Sequence, residues 1–121
     1  MKELMPQEIE VWDILPALRR ELSKALVKDY SINQKEVARL LRITGPAVSQ
    51  YLKEKRAKDI VFGKNITKEI RRSAKKIIGN KDVLIAEIQR LCNLNGIKML
   101  VCKIHKGKSA AIPRNCCVCM K

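Results

Sequence analysis

Aromatic residues are nearly absent from this 121-residue chain, which has one Trp, two Tyr and one Phe. A core of any size must therefore be built from Leu, Ile and Val. The chain also lacks an apolar run of about eighteen residues, the minimum for a membrane-spanning helix. Its opening "MKELMPQEIEVW" lacks the basic-then-apolar order of a secretory signal. The expected compartment is the cytoplasm, with no membrane partner. The single histidine, His105, has no Asp, Glu or Ser near it in a catalytic arrangement, and the cysteines lack a base, so no enzymatic activity is expected. Internal repeats and low-complexity tracts are missing as well, and 121 residues suffice for one domain or a compact domain with a small appendage.

Charge of one sign is missing locally, because no acid follows Leu91 while six Lys or Arg do. The net charge is +14, yet residues 1–30 carry five basic and six acidic groups, so the excess lies in residues 31–121. Such a field favours a polyanion, most often nucleic acid, although an anionic surface or an acidic protein would use it too.

Residues 1–10 read as a lead-in. From Asp13 to Asp29, Leu15, Leu18, Leu22 and Leu26 recur at helical spacing, with Pro16 placed in the first turn. Two short helical patterns follow. Ser31 or Asn33 caps the first, whose apolar positions are Val37, Ala38, Leu40 and Leu41; Thr44 caps the second, which buries Val48, Tyr51 and Leu52 and leaves Ala47, Ser49, Gln50 and Lys53 outside. Two helices of about eight residues joined by three or four have the geometry of a helix-turn-helix. A basic amphipathic stretch with a seam of Ile66, Ile70, Ala74 and Ile77 comes next, then a helix over "KDVLIAEIQRLCNLNG" with Val83, Ile85, Ile88, Leu91 and Cys92 near its buried side. Beyond it, the run Ile97 to Val101 fits a short strand and the remainder reads as loop.

The stretch "NQKEVARLLRITGPAVSQYLKEKR" resembles the lambda-repressor/Cro-like (XRE-type) helix-turn-helix proteins at Gln34, Ala38, Ile43, Val48, Ser49 and Tyr51. Where many members place glycine in the turn, this chain has Arg42. The resemblance implies a transcriptional regulator on double-stranded DNA, commonly a homodimer on a palindromic site. The DNA-contacting candidates are Gln34, Thr44, Pro46, Ala47, Ser49, Gln50, Lys53, Lys55, Arg56 and Lys58. Gln50 is the best base reader, since an amide both gives and accepts hydrogen bonds at adenine, and Ser49 reads a base or grips phosphate. Thr44, Lys53, Lys55, Arg56 and Lys58 suit phosphates, which position the duplex without identifying it.

Five cysteines, at 92, 102, 116, 117 and 119, crowd the last thirty residues. Structural disulfides are disfavoured in the expected compartment, except in hyperthermophiles, whose intracellular proteins use them. Cys92, Cys102, Cys116 and Cys119 would supply four thiolates, a set that suits an iron–sulfur cluster or zinc, with Cys117 as a spare and His105 as a substitute ligand. Cys92 also lies on an apolar face, where an ordinary core cysteine sits. An iron–sulfur cluster is preferred because it would give a regulator a redox or iron signal. The pieces "ILPALRRELSKAL" and "NQKEVARLLRITGPAVSQYL", with these cysteines, are similar to a group of predicted archaeal regulators bearing a cysteine-containing C-terminal segment.

The expected fold is all-α, a helix-turn-helix bundle of about five helices with a small irregular cysteine-rich C-terminal segment. Residues 11–78 would form the DNA-binding domain and residues 81–121 a helix plus a metal- or cluster-binding segment. The expected function is sequence-specific transcriptional regulation. Two other readings remain, a zinc-stabilised basic nucleic-acid-binding protein and a helix-turn-helix protein-interaction module of antitoxin type.

Overall fold

The computed structural model describes residues 5–53 and 60–108. Six helices and no strand occur among them. Helix α1 covers residues 6–29, α2 Gln34–Leu41, α3 Gly45–Leu52, α4 Lys64–Gly79, α5 Leu84–Cys92 and α6 Asn95–Lys108. One apolar cluster runs through the bundle, from Ile9 and Ile14 on α1 to Ile97 and Val101 on α6.

Helix α1 begins at Pro6, so the lead-in expected through residue 10 is helical instead. Ile9 is fully buried, and the first turns of α1 pack against α6. The earlier start puts Pro16 inside the helix, where its missing N–H and its ring disturb the turn before it. That turn, Glu10–Ile14, is π-wound, as is the last one, Ala25–Asp29, while the backbone stays right-handed helical at Ile9, Ile14 and Lys24. A π turn holds one more residue than an α turn. Ile9 and Ile14, five residues apart, are therefore both buried, and Leu18, Leu22 and Leu26 continue the stripe in steps of four.

Expectation and structure part at the C-terminal side. The run Ile97 to Val101 is helical rather than extended. A strand would place Ile97, Met99 and Val101 on one face, but Met99 is 61% exposed while Ile97, Val101 and His105 are buried at steps of four. His105 is accordingly a buried residue on α6, not part of a surface loop. A Cβ on Gly96 would lie 2.9 Å from Ile66 Cδ1, so the absence of a side chain lets the start of α6 abut α4. Ile85, expected on the buried side of α5, is 70% exposed; Leu91 is buried as expected, and Leu84 and Glu87 are buried with it.

Two polar devices complete the packing. Arg20, on the buried side of α1, donates from Nη2 to the Ile60 carbonyl at 2.5 Å and to Glu21 Oε1 at 3.0 Å, tying the approach to α4 onto α1. Between α4 and α5, Arg90 donates to Glu69 Oε2 at 2.5 Å, Ser73 Oγ at 2.9 Å and Glu87 Oε1 at 3.3 Å. Ser73 Oγ in turn donates to Glu87 Oε1 at 2.9 Å, so the nearly buried Glu87 carboxylate is satisfied from two sides. The Arg90 hydrogen bond holds the Glu69 carboxyl below its ordinary pKa, and the same bond pushes the Arg90 guanidinium up. No helix among the described residues is long and apolar enough to cross a membrane.

Candidate nucleic-acid interface

Each boundary of the α2–α3 pair is set by residues close to it in the chain. Asn33 stands extended before α2 and its Oδ1 accepts from the Glu36 N–H at 2.8 Å, which satisfies one of the orphan donors of the first turn. Arg39 closes onto Glu36 one turn later and holds the Glu36 carboxyl below its ordinary pKa, chiefly through that hydrogen bond. At the other end Arg42 is left-handed, with φ 55° and ψ 43°. Its N–H donates to the Arg39 carbonyl at 3.3 Å, and that of Ile43 to the Ala38 carbonyl at 3.0 Å. This is the Schellman closure, in which the left-handed residue is usually glycine.

Ile43 is half-buried against the core, and Thr44 then caps α3. Its Oγ1 accepts from the Ala47 N–H at 3.1 Å, and Pro46 falls in the first turn, where its lack of a donor does no harm. Val48 and Tyr51 are buried as expected, and α3 packs on both α2 and the Leu15–Lys24 segment of α1. Ala47 departs from expectation. At 8% exposure it belongs to the buried stripe with Val48 and Tyr51, one helical turn before Tyr51, and is not available on the outer surface.

The outward face of α3 carries Pro46, Gln50 and Lys53 in the open, with Ser49 half-buried beside them. Thr44 and Gln34 are exposed at the starts of their helices, and Lys35, Arg39 and Arg42 add exposed positive charge along α2 and the turn. Lys55, Arg56 and Lys58 lie outside the described residues. Helix α4 exposes a second basic face, but its charge is partly used. Arg71 pairs with Asp29 at 3.2 Å, Arg72 with Glu69 at 3.1 Å and Lys76 with Glu87 at 3.8 Å. On the α2–α3 surface, exposed polar side chains and exposed cations lie together.

The cysteine reading is corrected. Among the described residues no group of three or more His, Cys, Asp or Glu is placed to hold a metal ion. Cys92 and Cys102 serve the packing instead. Cys102 is buried on α6, and Cys92, half-buried against the core, has its thiol pushed up to about 11 by burial and, secondarily, by the Glu10 carboxylate. A thiol held protonated in this way is a packing group rather than a ready thiolate ligand. His105, the proposed substitute ligand, is buried with no such group around it. Cys116 and Cys119 lie outside the described residues, and Cys92 and Cys102 belong to no metal-holding group among those described, which argues against the expected iron–sulfur or zinc site.

Arg42, noted in the sequence where many XRE-type proteins place glycine, is the left-handed residue that closes α2. A helix end followed by Arg-Ile-Thr, with Ile43 as the apolar anchor, carries the Schellman signal without its glycine. No family model, no curated protein and no solved structure matches the chain, so the resemblance to XRE-type proteins and to archaeal regulators rests on the quoted residues alone.

Proposed function

We propose that the chain is a sequence-specific transcriptional regulator that binds double-stranded DNA as a homodimer, with α2–α3 as a helix-turn-helix and α3 as the helix that enters the major groove. The observation that carries this reading is the division of α3. Val48 and Tyr51 anchor one side in the bundle, while Gln50, Lys53, Pro46 and Ser49 share the other. A helix held that firmly presents its polar face with little freedom, which base readout requires. Gln50 reads a base edge; Thr44 and Lys53 grip phosphates and set the register.

The test is selection from a random duplex pool followed by fluorescence anisotropy on the enriched site. Gln50→Ala is expected to relax preference at one base pair, by about 1–3 kcal/mol of discrimination. Lys53→Ala is expected to weaken all duplexes alike and to reduce the salt slope by about one. Equal affinity for every duplex, or a preference untouched by Gln50→Ala, would refute the reading.

A further inference from the structure

A cleft of about 410 Å³ opens where three elements meet, namely α1 near Leu15 and Arg19, the turn at Arg42 and Ile43, and the length of α5. Its size falls within the roughly 300–1,000 Å³ of small-molecule sites. The walls are aliphatic, formed by Leu15, Leu41, Ile43, Leu84 and Ile88. Ile85 stands at 70% exposure among the lining residues, an isoleucine left in water by the packing of α5.

The charged lining is as specific as the apolar one. Arg19 and Arg42 both border the cleft, against a single acid, Glu10, so one positive charge is left unbalanced. Neither arginine forms an ion pair among the described residues, in contrast to Arg20, Arg39, Arg71, Arg72 and Arg90. Arg42 moreover occupies a left-handed position that glycine would hold with less strain, so its side chain is carried there against the local backbone preference. A guanidinium beside an aliphatic wall matches a carboxylate attached to an apolar chain, because its planar fork takes both carboxylate oxygens.

We propose that this cleft is a binding site for a small amphipathic monocarboxylate, with its chain along Ile43, Ile85 and Ile88 and its carboxylate on Arg42 and Arg19. A monoanion balances the lining; a second carboxylate would meet Glu10. The site goes beyond the DNA-binding reading and does not depend on it.

Isothermal titration calorimetry of the full chain with decanoate, and with decanol as its uncharged counterpart, tests the site directly. Decanoate is expected to bind one per chain and about tenfold more tightly than decanol, the preference one well-placed charged contact confers. Arg42→Gly, which suits the left-handed turn, removes that preference while decanol affinity stays. Ile85→Asp, at an exposed position outside the core, weakens both probes at least tenfold without changing the thermal melt. Absence of decanoate binding, equal affinity for the two probes, or decanoate binding undiminished in both variants would overturn the proposal.

Discussion

The α2–α3 pair and the α4–α5 pair are each two helices packed side by side, but they are held by different means. In the first, the governing contacts are local. Asn33 reaches Glu36, Thr44 reaches Ala47, and the turn closes through Arg42 and Ile43 onto Arg39 and Ala38. In the second, Arg90 on α5 gathers Glu69 and Ser73 from α4, 21 and 17 residues away in the chain, together with Glu87 on its own helix. Short-range capping fixes where helices start and stop, whereas a side-chain charge network fixes how two finished helices sit together. The first kind of contact leaves the outer face of its pair uncovered; the second occupies the very surface it joins.

The largest break in this comparison comes at Arg90. Arg90→Ala leaves the Glu87 carboxylate, 8% exposed, without its guanidinium but with Ser73 and Lys76 still beside it, and a loss of about 2 kcal/mol is expected, read as a lowered urea midpoint at unchanged slope. In the other pair, Thr44→Ala removes a single cap and is expected to cost about 1 kcal/mol by the same measurement. Arg42→Gly should act in the opposite direction. Relief of the left-handed strain outweighs the added freedom of the unfolded chain, for a gain of about 0.5 kcal/mol and a raised midpoint.

Cys92 gives the smallest effect near neutrality and a distinct one in alkali. Burial pushes its folded thiol up from an ordinary 9.0 to about 11. Below pH 9 both states hold the proton and the stabilisation is complete; between 9 and 11 only the unfolded state releases it, so stability falls as pH rises. Urea midpoints at pH 8 and pH 10.5 are expected to differ more for the parent chain than for Cys92→Ala. An identical alkaline decline in both would dismiss the buried-thiol assignment.

The same contrast explains what the sequence disclosed. Asn33, Thr44, Val37, Leu41 and Val48 announce α2 and α3 because caps and apolar spacing are encoded within a few positions. The outward placement of Gln50 and Lys53 follows from the same period, and Ala47 was misplaced because a small residue at the edge of the stripe satisfies either face. Arg90 was unreadable, since nothing nearby signals partners 17 and 21 residues back. Helix α6 was hidden by the density of aliphatic residues from Ile97 to Val101, which conceals a four-residue step. The metal reading followed thiol chemistry while the apolar stripes that bury Cys92 and Cys102 supplied a sufficient reason for both.

The wide turn at Glu10–Ile14 makes α1 one residue longer than its core face requires. Chain length is therefore negotiable at that point, as it is at the second wide turn, Ala25–Asp29. A chain lacking Trp12, which is 62% exposed, and carrying Pro16→Ala would wind as ordinary α-helix with Ile9, Ile14, Leu18 and Leu22 still in line. The same deletion placed at Arg19 would rotate everything before it by about a quarter turn or more and draw Ile9 and Ile14 off the core.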